Sequence, residues 1–292
     1  MITVNMIMHP EDQKAIRVLK NIPYIEKICR SILKMAFEKL YKGENLAMMV
    51  KVDETYMPEL HEDLLSVANA IGIQAPELYI YNDPVMNAFT FGETNPYVCV
   101  SSSLIEKMNR EERKAIIAHE CGHILCRHVV YNMVAQYVRL GLDYIGLIGK
   151  LAKPVQIALD YWSRKSELSC DRCGSIVTSP ETVARVMARL AGGPKSLTSK
   201  LDMKLWAAQA DKYDEIRNGN LWDKSLQIAS VLNRTHPFSA VRVREILKWG
   251  DSAQYKNLMQ NLNAQKSGKK CPKCGKTVDE NWAFCMYCGE KL

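Results

Sequence analysis

The sequence has no stretch able to cross a bilayer. Its longest run free of Asp, Glu, Lys and Arg covers residues 64–76, 13 positions, where a spanning helix needs about 20 mainly apolar residues. It also lacks the basic-then-apolar opening of a secretory leader, because Glu11 and Asp12 interrupt the first twenty residues, so no signal peptide and no integral membrane segment are expected. There is no excess of acid: the net charge is +7. Much of that excess falls late, at Lys256, Lys266, Lys269, Lys270, Lys273 and Lys276. A basic stretch of this kind reads as a solvated linker rather than a nucleic-acid site. With 47% hydrophobic residues the chain can bury a core. Ten cysteines are read as reduced or metal-bound, which implies a cytoplasmic protein, rather than as a disulfide frame.

Four cysteines stand in "CPKCGKTVDENWAFCMYCG": Cys271, Cys274, Cys285 and Cys288, two CxxC pairs ten residues apart. Each pair turns two thiolates toward one point, and the two complete a tetrahedral shell for a structural zinc. Gly275 and Gly289 follow each pair, where a tight turn wants an unhindered residue. The ribbon aromatics Trp282, Phe284 and Tyr287 could stack on bases, but are better read as its small core. Cys170 and Cys173 also form a CxxC, inside a helical pattern and without a second pair; they are read as small buried residues.

Between these features the chain punctuates itself. Helices are expected over 11–41, broken at Pro23, over "ELHEDLLSVANAIG", and over 111–138, 154–178, 180–191, 203–217, 221–232 and 239–249. Asn109 with Glu112 makes a capping box, and Ser179-Pro180 starts a second helix. Strands are expected in "LAMMVKV", "ELYIYN", "NAFTFG" and "YVCVSSS". Residues 251–270 read as a polar linker or frayed helix. The fold class is α+β, mainly helical, with a small mixed sheet: a main domain over 1–250 (N-terminal helices 1–43, core 44–250), a linker over 251–270 and a ribbon over 271–292.

Histidine is scarce, six in all, yet three fall in "AIIAHECGHILCRH". On a helix His119 and His123 share a face within reach of one ion, and Glu120 beside them reaches a water there. His128, nine residues after His119, lies about 180° round a continuing helix and is expected to point away. Cys126 and Val129 stand where a metzincin has Gly and His, so a third ligand must come from elsewhere. "DYWSRKSELSCDRCGSIV" offers Glu167 and Asp171 on one face. One could bind the ion and the other accept the N–H of a ligand histidine.

Taken together, "NAFTFG", "HECGH", "SRKSELSCD" and "HPFSAVRV" resemble the motifs of the HtpX-like zinc metallopeptidases, the gluzincin family that also holds the CAAX prenyl endopeptidases. The resemblance covers residues 75–246. It implies a gluzincin fold with the sheet beside the active-site helix, and an endopeptidase acting on unfolded or flexible protein segments, as in protein quality control. It implies that His119, His123 and Glu167 bind a catalytic zinc and that Glu120 is the general base for water attack. Asp171 would orient a ligand histidine, His236 would stabilise the oxyanion, and Arg242 would hold the loop of His236. The strand bearing Asn87, Ala88, Phe89 and Thr90 would pair with substrate. With the ribbon, two zinc ions are expected. Cys170 replaces the family's usual Ala. The segment after the HECGH helix carries Arg139, Asp143, Lys150 and Lys153 where membrane members are apolar, so this chain is similar to a soluble branch. The rival reading is an inactive zinc-binding scaffold that recruits partners, or nucleic acid, through the ribbon; an intact Glu120 stands against it.

Overall fold

The computed structural model describes residues 2–22, 25, 43, 47–92, 94–139, 152–217, 238–267, 270–275, 278, 284 and 288–291. These divide into two compact units, Met1–Leu247 and Lys248–Leu292. The first unit opens with two helices, α1 (Val4–Ile7) and α2 (Pro10–Lys20), then strand β1 (Val50–Val52) and helix α3 (Pro58–Ile71). Strands β2 (Glu77–Tyr81), β3 (Ala88–Phe91) and β4 (Tyr97–Ser101) follow, with α4 (Ser102–Lys107). Next come α5 (Arg110–Leu125), α6 (Val129–Arg139), α7 (Ala152–Val177), α8 (Pro180–Gly192), α9 (Lys195–Thr198) and α10 (Met203–Arg217). Helix α11 (Ser239–Asp251) runs into the second unit, which contains α12 (Ala253–Ser267). The expected helix over 221–232, most of 23–42, His236 and Cys285 lie outside the described residues.

The fold is mainly helical with one small mixed sheet, as the sequence indicates. Its strand order is β1-β2-β4-β3: β1 antiparallel to β2, β2 parallel to β4, β3 antiparallel to β4. Every residue of β4 is buried, which suits a run of apolar and small residues in a central strand. β3 closes the sheet as an edge, and Gly92 ends it in the left-handed region at φ 88°. The run "LAMMVKV" contributes only its last three residues to β1. Residues 253–267, left between linker and frayed helix by their polar composition, form a helix.

Two helices, α5 and α7, dominate the interior. The capping box at the start of α5 is formed: Asn109 Oδ1 accepts from Glu112 N at 2.9 Å, and Asn109 N donates to Glu112 Oε2 at 3.0 Å. α5 and α7 approach closely because of two glycines. A Cβ on Gly122 would stand 3.0 Å from Cys173 Cβ and 3.2 Å from Cys170 Cα. One on Gly174 would stand 2.9 Å from the Ala115 carbonyl oxygen. Cys170 and Cys173, both fully buried, are the small residues that this seam requires. Trp162 on α7 is also fully buried, among Leu19, Tyr79, Tyr131 and Met133; a side chain of that size contributes about 1.5–3 kcal/mol or more by leaving water.

Candidate metal centre

The close seam brings Glu167 of α7 against both histidines of α5. Glu167 Oε2 lies 3.3 Å from His119 Nε2, and Oε1 lies 3.3 Å from His123 Nε2. Glu167 is only 3% exposed. Two imidazole nitrogens and one buried carboxylate turned to a common point are a donor set that suits zinc, and an ion would take over the contacts Glu167 now makes to both rings. Cys170 also falls within 4.8 Å of donor atoms of the two histidines. Its Sγ, however, sits 3.6 Å from His128 Nδ1, at the end of His123 away from Glu167, and burial pushes its thiol well above the ordinary value. Glu167, unlike Cys170, faces the Nε2 atoms of both histidines.

The partners of these residues fix their orientation. Asp171 Oδ1 lies 3.1 Å from His119 Nδ1. Arg242 of α11 grips Asp171 with two bonds, Nε to Oδ2 at 2.8 Å and Nη2 to Oδ1 at 2.6 Å, and reaches Glu167 Oε2 with Nη1 at 3.2 Å. Burial pushes the Asp171 carboxyl up, but Arg242 outweighs it and holds the group below its ordinary value. Burial likewise lowers His119, yet Asp171 and Glu167 reverse this and raise the imidazole to about 10. His123, which lacks a carboxylate at its Nδ1, is instead lowered, mainly by burial. Arg242 thus acts on the two carboxylates directly.

Glu120 takes no part in that cluster. It is 6% exposed, and its Oε2 accepts a hydrogen bond from Thr90 Oγ1 at 2.7 Å. Thr90 Oγ1 also lies 3.1 Å from the Glu120 carbonyl oxygen, tying edge strand β3 to α5. Of the four residues expected to meet substrate, Asn87 and Ala88 line a cavity of about 220 Å³ that also exposes His119, Glu120, Glu167 and Arg242. Thr90 touches Glu120. Phe89 turns away and packs on Tyr81, ring centroids 5.6 Å apart, as alternation along a strand dictates. The cavity lining also includes the apolar side chains of Leu104, Ile116, Val183, Val186, Met187 and Leu190.

His128 does not point away, contrary to the helical extrapolation. α5 ends at Leu125, Arg127 adopts a left-handed φ of 58°, and the helical path is broken before α6 starts at Val129. His128 then stacks edge-on against His123, centroids 5.4 Å apart, with Nδ1 to Nδ1 at 3.3 Å. Its Nε2 lies 3.3 Å from Asp12 Oδ2 on α2. Burial raises Asp12, but His128 and Ser169 outweigh it and keep the carboxyl below its ordinary value. Neither Asp12 nor His128 was singled out by motif. No Gly or Pro marks the turn at 126–128, so periodicity could not show it.

In the second unit Cys271, Cys274 and Cys288 bring ligand atoms within 4.8 Å of one another, with Cys271 Sγ 3.6 Å from Cys288 Sγ. Backbone N–H groups of the turn, Cys274 first, lower the Cys271 thiol to about 7. Gly275 and Gly289 take left-handed φ values of 68° and 74°, as the sequence suggests. Val278 packs with Cys271 and Cys288, whereas Phe284 is 59% exposed and is not a core residue of the ribbon, since so short a unit cannot bury every apolar side chain. Trp282 and Tyr287 lie outside the described residues.

Comparison with known proteins gives a consistent result. The sequence profile of peptidase family M48 matches residues 55–250, and that of a zinc-ribbon domain matches residues 270–292. The chain is similar to the chloroplastic plastoglobule-localized metallopeptidase 48 of Arabidopsis thaliana, 32% identical over 90% of this chain and 77% of that protein. It is 38% identical to a protease HtpX homolog of Caldanaerobacter subterraneus over 27% of each chain. It is 55% identical to one of Helicobacter acinonychis over 17% of this chain and 16% of that one. No solved structure matches. Among the described residues no helix is long and apolar enough to cross a membrane.

Proposed function

From the premise that the chain belongs to peptidase family M48, and is a metallopeptidase, we propose that it is an endopeptidase that cuts extended protein segments beside an apolar residue. The observation that carries this reading is the division of labour among its acids. Glu167 faces both histidine Nε2 atoms, while Glu120 stands apart on the cavity wall, held by Thr90. His119, His123 and Glu167 would hold a zinc ion, which supplies a Lewis acid to polarise a carbonyl and acidify a water. Glu120 would take the proton of the attacking water and hand it to the leaving amine. Asp171, braced by Arg242, would keep His119 with its hydrogen on Nδ1 and its lone pair on Nε2.

The sheet edge accounts for substrate form. Among the described residues β3 pairs only with β4, so its outer edge can take an extended segment through main-chain hydrogen bonds. Folded domains cannot offer such a segment, which favours unfolded or flexible substrates, as in quality control. The apolar residues that line the cavity would receive a side chain next to the cut bond. His236 stays a candidate oxyanion donor on its motif alone. The ribbon would hold a second, structural zinc through Cys271, Cys274, Cys285 and Cys288 and recruit substrate or partner. A cytoplasmic setting would keep the ten cysteines reduced or metal-bound.

A series of unstructured peptides differing at one central residue tests this reading. Cleavage beside Leu, Met or Phe is expected, abolished by a zinc chelator, with Asp at the same position refused. Equal cleavage of all members would remove the role assigned to the apolar wall.

A further inference from the structure

We infer that Asp12 and His128 are positioning residues for the metal site, holding His123 in the one tautomer that leaves its Nε2 free to bind an ion. This rests on the reading of His123 as a ligand. His123 turns Nε2 to Glu167 and Nδ1 to His128, where the two Nδ1 atoms stand 3.3 Å apart. Two ring nitrogens at that distance need one hydrogen between them: one donates and the other accepts. The far end of His128 decides which. Its Nε2 faces the Asp12 carboxylate at 3.3 Å, and a carboxylate only accepts. In a neutral His128 the hydrogen is therefore on Nε2, its Nδ1 is the lone pair, and His123 Nδ1 is the donor. With an ion in place of the contact between His123 Nε2 and Glu167 Oε1, the lone pair of His123 is left on Nε2 to bind it; without the ion that carboxylate would itself call for a hydrogen on Nε2.

Other contacts are compatible with this assignment. Asp12 is fully buried and surrounded by donors: Trp162 Nε1 donates to Oδ1 at 3.1 Å and Ser169 Oγ to Oδ2 at 2.5 Å. The Cys170 thiol faces His128 Nδ1 at 3.6 Å, where a lone pair can receive it. Asn132 Nδ2 lies 3.4 Å from His123 Nδ1, while its Oδ1 is buried without a partner. The oxygen and nitrogen of a side-chain amide are assigned by their surroundings. Turning this amide over lets Oδ1 share the His123 Nδ1–H with His128 Nδ1 and removes the orphan. The two ligand histidines are thus set from opposite sides. Asp171 acts on His119 directly, and Asp12 acts on His123 through the intervening imidazole of His128.

The test uses the full chain, ¹⁵N-labelled and zinc-loaded, with ring tautomers read by long-range ¹H–¹⁵N correlation. His128 is expected to carry its hydrogen on Nε2 alone. A hydrogen on His128 Nδ1, in a neutral or a doubly protonated ring, overturns the inference and needs no variant. Zinc that leaves the rings of His119 and His123 unperturbed overturns the metal site itself, and this relay with it. The isosteric Asp12→Asn turns an amide donor to His128 and inverts both tautomers. Zinc affinity, followed on the His119 and His123 resonances against a competing chelator, should then fall by about 10–100-fold. Trp162→Phe removes a different donor to Asp12 and loosens the same packing, yet should keep zinc affinity within about threefold. Equal losses in the two variants, or an unchanged affinity in folded Asp12→Asn, assign Asp12 to packing alone and overturn its positioning role.

Discussion

Thr90 and Glu245 show how single side chains set what the molecule can do. Thr90 Oγ1 is the hydrogen-bond donor on Glu120 Oε2, and a bond to a charged group is worth about 1.5–3 kcal/mol. Thr90→Val keeps the shape and removes the donor, so kcat should fall about tenfold or more while KM stays close to wild type; unchanged kcat would place Thr90 outside the catalytic machinery. Glu245 lies 3.7 Å from His9 and 3.0 Å from Arg244. The His9 bond first, then Arg244 against opposing burial, lowers its carboxyl from the ordinary 4.5 to about 2. A lowered folded-state value means stability present above 4.5 and lost as pH falls toward 2. The stability gap between wild type and Glu245→Gln should therefore close across that window; a gap independent of pH would contradict the ion pair. Residues with a fixed spacing, such as His119, Glu120 and His123, were legible in the sequence because one helix holds them. Asp12 was not, because its partner His128 and its donors Trp162 and Ser169 are distant along the chain.

Helices α5 and α7 carry the site by how closely they approach. Gly174 meets the Ala115 carbonyl and Gly122 meets the Cys170 backbone, so an added methyl must push the helices apart. Overpacking of this kind costs about 1–3 kcal/mol, against about 1 kcal/mol gained in helix propensity by replacing Gly. Gly174→Ala is expected to destabilise on balance, seen as a lower Tm; because Glu167 and its two histidines lie on opposite sides of the seam, zinc affinity should fall with it. A variant with raised Tm and full zinc affinity would contradict the seam. Element starts were readable where side chains cap them, as with Asn109-Glu112 and Ser179-Pro180. The end of α5 was not. Arg127 takes a left-handed turn that favours Gly or Asn, and the apolar period resumes in α6, so one helix was expected where there are two. Likewise a polar composition hid α12, because polar residues disfavour burial more than they disfavour helix.

At the scale of the whole molecule, the chain joins a peptidase unit to a ribbon that is too short for a hydrophobic core of its own, since domains below about 40 residues usually need a metal or disulfides. Two zinc ions per chain are expected, and Cys271→Ser should reduce metal content to one while a short peptide is still cut; loss of that activity would tie the ribbon to the active site. The claim on which the functional reading turns is that Glu120 serves the water and not the metal. The most direct measurement compares cleavage of an unstructured protein by zinc-loaded wild type and Glu120→Gln at equal zinc content. The rate should fall by about 10²–10⁴ while zinc and fold are retained. A Glu120→Gln protein that keeps more than a few per cent of the wild-type rate, or that loses its zinc, would contradict the assignment.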